Sequence, residues 1–269
     1  MGVIPDNGSG EGVYFSLKEI GLILGLSVLA ALTGALVPSY LFPEGTISAI
    51  VYGTLMLPGP GAGVFVFGSI LCFWLFTGLI LVKKPGTAVA MATVLVAIDL
   101  LFGIQAVIIQ SLDVLVIVAI IIEVVCHFLP KHSAGDRIFP LILAALSIIT
   151  LGIAITGYAK QGEENLPLMQ FPIVYGIFAI LGISLAIVCY RYPCRYFIAA
   201  GIANIYYLIH FWIFWGNDFG SRFPPDPLMI PVLSLIVIVG GVTAAWAACG
   251  LEYLRKRKAS GNRSTPASS

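Results

Sequence analysis

"VKKPGTAVAMATVLVAIDLLFG" runs from Val82 to Gly103 and opens with two lysines at a Pro-Gly break. Pro and Gly punctuate helices, because one lacks a backbone donor and the other tolerates conformations closed to L side chains. An apolar run follows, interrupted once, by Asp99. A helix of about 20 such residues crosses a hydrocarbon core of about 30 Å. The stretch therefore reads as a basic turn at a membrane surface leading into a transmembrane helix.

Composition extends that reading to the whole chain. Its 269 residues are 59% hydrophobic and 10% charged, with a mean hydropathy of +1.02. Soluble domains carry roughly 25% charged residues. The apolar runs are continuous rather than alternating, so helices and not barrel strands are expected. The fold class predicted is an all-α, polytopic integral membrane bundle. Its spans are Leu17–Val37, Ala62–Val82, Thr87–Ile109, Leu112–Leu129, Ile138–Tyr158, Phe171–Tyr190, Tyr196–Trp215 and Met229–Leu251. A further apolar piece, Thr46–Leu57, lies between Pro43 and the "PGPGAG" of Pro58–Gly63. Twelve helical residues rise only about 18 Å, so this piece is expected to be a re-entrant half-helix that does not cross.

Eight crossings with both termini in the cytoplasm place Lys18, Lys83, Lys84, Lys131, Arg137, Arg191, Arg195 and the "RKRKASGNR" tail inside. Only Lys160 and Arg222 fall outside, in the company of Glu44, Glu163, Glu164, Asp218 and Asp226. That asymmetry obeys the positive-inside rule. The expected organisation is a cytoplasmic segment (1–16), one transmembrane domain (17–254) and a disordered basic tail (255–269) that anchors on anionic lipid. The polar, Gly-rich N-terminus lacks the form of a cleaved signal peptide. A net charge of +1 gives no field for nucleic acid. The five cysteines lie in or beside apolar spans, which disfavours a disulfide framework.

An intramembrane carboxylate costs about 2.5–3.5 kcal/mol on insertion scales and normally faces protein or a water-filled cavity. Asp99 lies about 22 Å beyond Lys84 along a helix, in the outer half of the membrane. Its helical neighbours Ala88, Ala92, Val96 and Gly103 form a small-residue face that suits close helix approach. Asp99 is thus either a ligand contact or a structural hydrogen bond between helices, with equal weight. Gln105, Gln110 and Asp113 flank the next turn, and Asn204, Tyr206, Tyr207 and His210 lie on "GIANIYYLIHFWIFWGND". Trp212 and Trp215 read as an interfacial aromatic belt. An aromatic wall with a few convergent polar groups is what a small-molecule pocket needs, so Asp99, Gln105, Asn204, Tyr207 and His210 are the ligand-binding candidates. A lone intramembrane histidine is also a common partner in helix–helix hydrogen bonding. Glu123 and His127 stand one helical turn apart and suit a local pair or a proton relay.

Signatures of enzymes are lacking: the sequence has no P-loop, G-x-S-x-G, CxxC or HExxH. No catalytic residue, cofactor or metal site is expected, and the chain does not read as an enzyme.

The segment Leu57–Gly103 resembles the membrane-embedded substrate-binding (S) components of energy-coupling-factor transporters. The closest group is the YkoE-like one, linked to hydroxymethylpyrimidine or thiamine. The likeness rests on a Gly/Pro turn, an aromatic-bearing span, Lys83-Lys84-Pro85-Gly86-Thr87, an Ala-rich span and a closing Gly. That family has fewer spans, and the chain after Phe171 lies outside the likeness. The resemblance implies uptake of a vitamin or vitamin-precursor-like molecule in partnership with a transmembrane coupling subunit and ATPase subunits. It also implies docking of the coupling subunit on the first span through an A-x-x-x-A element, here Ala31 and Ala35. The expectation is a multi-pass permease component of the cell membrane, its pocket built by the third, fourth and Tyr196–Trp215 spans. The alternatives are a structural or anchoring subunit of a membrane complex, or an autonomous ion-coupled carrier using Asp99 and Glu123.

Overall fold

The structure, a computed structural model of the chain, describes residues 14–39, 64–102, 112–128, 134–159, 172–191, 195–215 and 229–261. Every element among them is helical. They are α1 (Leu17–Ser39), a π-helical turn (Val64–Gly68) running into α2 (Ser69–Val82), α3 (Thr87–Phe102), α4 (Leu112–Phe128), α5 (Ala134–Ala159), α6 (Pro172–Arg191), α7 (Arg195–Trp215) and α8 (Met229–Gly261).

Five of these elements contain stretches long and apolar enough to cross a membrane: Leu17–Gly34, Phe65–Val82, Ala134–Gly157, Ile173–Arg191 and Ile230–Arg255. Thr87–Ile98 and Val114–Phe128 are shorter apolar helices. The exterior agrees with that composition, since large apolar side chains such as Leu24, Ile148, Ile155, Ile173, Ile180 and Ile187 are exposed. In water such a surface would aggregate; against lipid tails it costs nothing.

The helices alternate in direction. Trp74 Nε1 donates to Thr33 Oγ1 (2.8 Å), and Lys84 Nζ to Glu19 Oε2 (2.7 Å), which sets α2 antiparallel to α1. Lys83 and Glu252 approach to 3.6 Å, so α8 ends beside the end of α2. Ala88 at the start of α3 meets Glu123 near the end of α4. The ring of Phe76 packs on Tyr196, and Phe139 crowds Gly201, which brings the starts of α5 and α7 to the same end. The odd-numbered helices thus begin, and the even-numbered ones finish, at one end of the bundle. Every described Lys and Arg position lies at that lysine end. The ends of α1 and α2 that flank 40–63 both lie at the opposite end, as a non-crossing connection requires; Thr46–Leu57 itself is outside the described residues.

The turn between α2 and α3 is built for sharpness. Lys83 takes a left-handed conformation (φ 60°) and returns its N–H to the Leu79 carbonyl at 2.9 Å. Gly86 follows with φ 83°, where a side chain would be strained. α1 opens with a capping box: Glu19 Oε2 accepts the Ser16 N–H at 2.7 Å and Ser16 Oγ accepts the Glu19 N–H at 3.4 Å.

The core runs along α8. Of its membrane-length stretch 72% is buried, against 28% for α5 and 33% for α6. It packs on α2, α5, α6, α7 and the π turn. Close approach depends on Gly240 toward the π turn and on Gly241 toward α7. A Cβ at Gly241 would lie 2.6 Å from Asn204 Nδ2 and 2.8 Å from the Ala200 carbonyl.

One expectation is corrected here. α8 stays helical to Gly261, past Leu254, where the sequence predicts a disordered tail. Arg, Lys and Ala are good helix formers, and cations at a helix C-terminus complement its dipole. The π turn was not anticipated.

Candidate functional site

A crevice opens among α1, α2, α3, α4 and α7. Ala30, Gly34, Phe67, Ile70, Leu71, Leu95, Leu115 and Tyr207 line it. Each belongs to the part of its helix away from the lysine end, so the crevice occupies the lysine-poor half. Its internal space is about 20 Å³, room for about one water molecule. Among the described lining residues Tyr207 is the one with a polar side chain. The described lining offers apolar contact and a phenol.

Behind the crevice wall sits a polar node. Asn204 on α7 is 1% exposed. Its Nδ2 donates to the Val237 carbonyl of α8 at 2.9 Å, and its Oδ1 accepts from Cys72 Sγ of α2 at 3.3 Å. Gly68, at the end of the π turn, lies so close that a Cβ there would come 2.9 Å from Oδ1 and 3.2 Å from Tyr207 Cδ1. One amide therefore joins three helices, and both of its ends are engaged within the chain.

Comparison with known family models, characterised proteins and solved structures gave no match. The functional reading rests on this chain's own residues.

The remaining sequence candidates are distributed as follows. Tyr207 and His210 are buried on α7, one at the crevice and the other one turn further toward the same end, where its ring stands 6.1 Å from that of Tyr206. Asp99 belongs to α3, one turn beyond crevice-lining Leu95, on the helix whose small residues Ala88 and Ala92 are fully buried. The side chain of Asp99 is outside the described residues, as are Gln105, Gln110 and the side chains of Asp113, Trp212 and Trp215. Ala31 is 4% exposed, inside the bundle on the face of α1 that also carries Ser27, whose Oγ donates to the Met91 carbonyl of α3 at 3.2 Å. It packs against this chain's own helices. The side chain of Ala35 is outside the described residues. Glu123 and His127 do pair, at 2.9 Å. Among the described residues no cluster of His, Cys, Asp or Glu suits a metal ion.

Several structural anchors were not singled out in the sequence. Ser16-x-x-Glu19 ahead of an apolar run is the readable signature of a capping box. Lys84 does more than mark the turn after α2. It bonds Glu19 and the Tyr14 carbonyl at 2.9 Å, and its ammonium stands 5.7 Å from the Tyr14 ring and 5.9 Å from that of Phe15. The role of Cys72 has no local sequence signal, because its partner is 132 residues away.

Proposed function

We propose that this chain crosses the cell membrane eight times with both termini cytoplasmic, and that it captures a small aromatic or heterocyclic nutrient from the outer side. It would then be the substrate-binding subunit of a vitamin-type uptake transporter, working with a transmembrane coupling subunit and ATPase subunits. The observation that carries this reading is the crevice. It gathers five helices, is lined by apolar and aromatic groups, and lies in the lysine-poor half, which the positive-inside rule assigns to the exterior. The Lys83–Thr87 turn, with its family resemblance, agrees with it. A ligand larger than water must widen the crevice on entering, as expected of a site between helices rather than a rigid socket.

Mass spectrometry of small molecules released from the purified protein is the test. A compound released from the native chain, and absent from a folded Leu95→Trp variant whose indole fills the crevice, would support the proposal. Equal recovery from both would overturn it.

Asn204 favours a second reading. A polar group fully satisfied between helices is what a structural or anchoring subunit needs. Protein partners without any released small molecule would transfer the conclusion to that reading.

A further inference from the structure

α8 is buried without a break from Leu235 to Val242 and surfaces only toward its lysine end. There Trp246 and Tyr253 are 60% and 67% exposed, and Gly250 and Arg257 are exposed between and beyond them. Residues three and four apart share one face of a helix, so these four form a single outward stripe. A Cβ at Gly250 would meet nothing within 4 Å. The chain's own packing therefore does not call for glycine at this position, although glycine weakens a helix interior. What the missing side chain leaves is a notch with an exposed aromatic residue on either side along the helix. Gly25 of α1 is equally open, but its exposed neighbours Leu24, Val28 and Leu29 are aliphatic.

Depth says what fits the notch. The membrane-length stretch of α8 ends at Arg255, so Tyr253 lies at its edge. At 1.5 Å per residue Trp246 is about 10 Å further in and Arg257 about 6 Å further out. The interfacial layer outside the hydrocarbon core is about 5–7 Å thick on each side, which puts Arg257 at the level of lipid phosphates. It belongs to a run of four cations, Arg255–Lys258. The anion just before that run, Glu252, is already matched by Lys83 at 3.6 Å. Arg257 also has an interaction within the chain, but a guanidinium carries five donors and can serve a phosphate as well. We propose that this face holds one anionic phospholipid, an acyl chain lying in the Gly250 notch between Trp246 and Tyr253 and the phosphate meeting Arg257. Tyr and Trp suit that position because each joins an apolar body to a polar handle at the membrane boundary. A water-soluble partner has no access to Trp246 at its depth. A basic segment by itself attracts any anionic surface; the notch adds a seat for one molecule. The proposal does not depend on ligand capture at the crevice, which lies in the opposite half.

Native mass spectrometry of the full-length protein tests it, after delipidation in detergent and incubation with an equal mixture of phosphatidylglycerol and phosphatidylcholine of identical chains. The first lipid retained should be phosphatidylglycerol by about fivefold, the scale of one cation near a membrane surface. Arg257→Gln should bring the two lipids close to parity. Gly250→Leu, which fills the notch, should lower retention of both while leaving Tm in detergent unchanged, since no atom of the chain lies within reach of the new side chain. Phosphatidylglycerol brominated on its chains should quench tryptophan fluorescence of the native protein, and Trp246→Phe should lose most of that quenching. Equal retention of the two lipids by the native chain would overturn the proposal, as would a preference that neither Arg257→Gln nor Gly250→Leu changes. A native dimer that Gly250→Leu converts to monomer would give the face to a second copy and overturn it likewise. If Gly250→Leu does not fold, the native preference and Arg257→Gln decide.

Discussion

At Asn204 a single amide touches α2, α7 and α8, and what a substitution does there follows from that geometry. Asn204→Ala removes a donor from the Val237 carbonyl and an acceptor from Cys72. Hydrogen bonds between membrane helices are worth about 0.6 kcal/mol on average and up to about 1.7, so thermal unfolding in detergent should show a loss in that range. Gly241→Ala should cost more, about 1–3 kcal/mol, because its methyl would press on the Ala200 backbone. Gly25→Ala is the control, with nothing within 4 Å of the added carbon, and should be neutral or slightly stabilising. Asp99 separates the functional readings. If it touches ligand, Asp99→Asn should lose release of the bound small molecule while keeping expression and Tm; if it is structural, Asn should be tolerated and Asp99→Leu should lower Tm. The sequence showed that both residues are polar groups in apolar spans. It did not show that Asn204 bonds to the backbone of a helix 33 residues away, because that bond depends on which glycines let α7 and α8 approach.

Helices were legible where apolar runs end in charge or in Pro and Gly. The start of α3 at Thr87 and of α4 at Leu112 fall where the pattern puts them, and the end of α2 at Val82 is set by the left-handed Lys83. What was missed follows from local contests that an apolar count does not see. The basic tail was expected to lose its helix in water, yet Arg and Lys continue a helix already nucleated by the preceding span. At the other end, the first turn of α1 holds a cap and an ion pair on one carboxylate. Glu19→Ala should therefore lower Tm more than Lys84→Met. The first change removes the capping box as well as the pair. The second removes an exposed pair, which solvent screens, and the ammonium's contacts to Tyr14 and Phe15, and leaves the box intact. Equal losses would mean that the capping box adds no more than the Tyr14 and Phe15 contacts of Lys84.

For the whole molecule, direction was readable because basic residues recur at every second connection, and the structure brings the described ones together at one end. The crevice was only partly readable. Tyr207 was named, but Phe67, Leu95 and Leu115 are unremarkable in sequence and converge only through packing. The proposed sidedness has a direct check on a cysteine-free background. A cysteine introduced by Ser264→Cys should react with a membrane-impermeant reagent only from the cytoplasm, and one introduced by Glu163→Cys only from outside. The reverse pattern would invert the bundle and place the crevice on the wrong face for uptake.

The most buried helix is also the one the ribosome makes after the other seven. At about 5–20 residues per second, the partners of α8 on α2 wait on the order of ten to thirty seconds before Gly240 and Gly241 are synthesised. Asn204, made 33 residues before Val237, has no such carbonyl to bond for the last few seconds of that interval. The surfaces later covered by α8 must meanwhile be covered by lipid, by the insertion machinery or by one another. Maturation is then a single late event rather than a helix-by-helix accretion. Chains halted before Met229 should be recovered as inserted but protease-sensitive intermediates, and supplying α8 as a separate polypeptide should convert them to the resistant form.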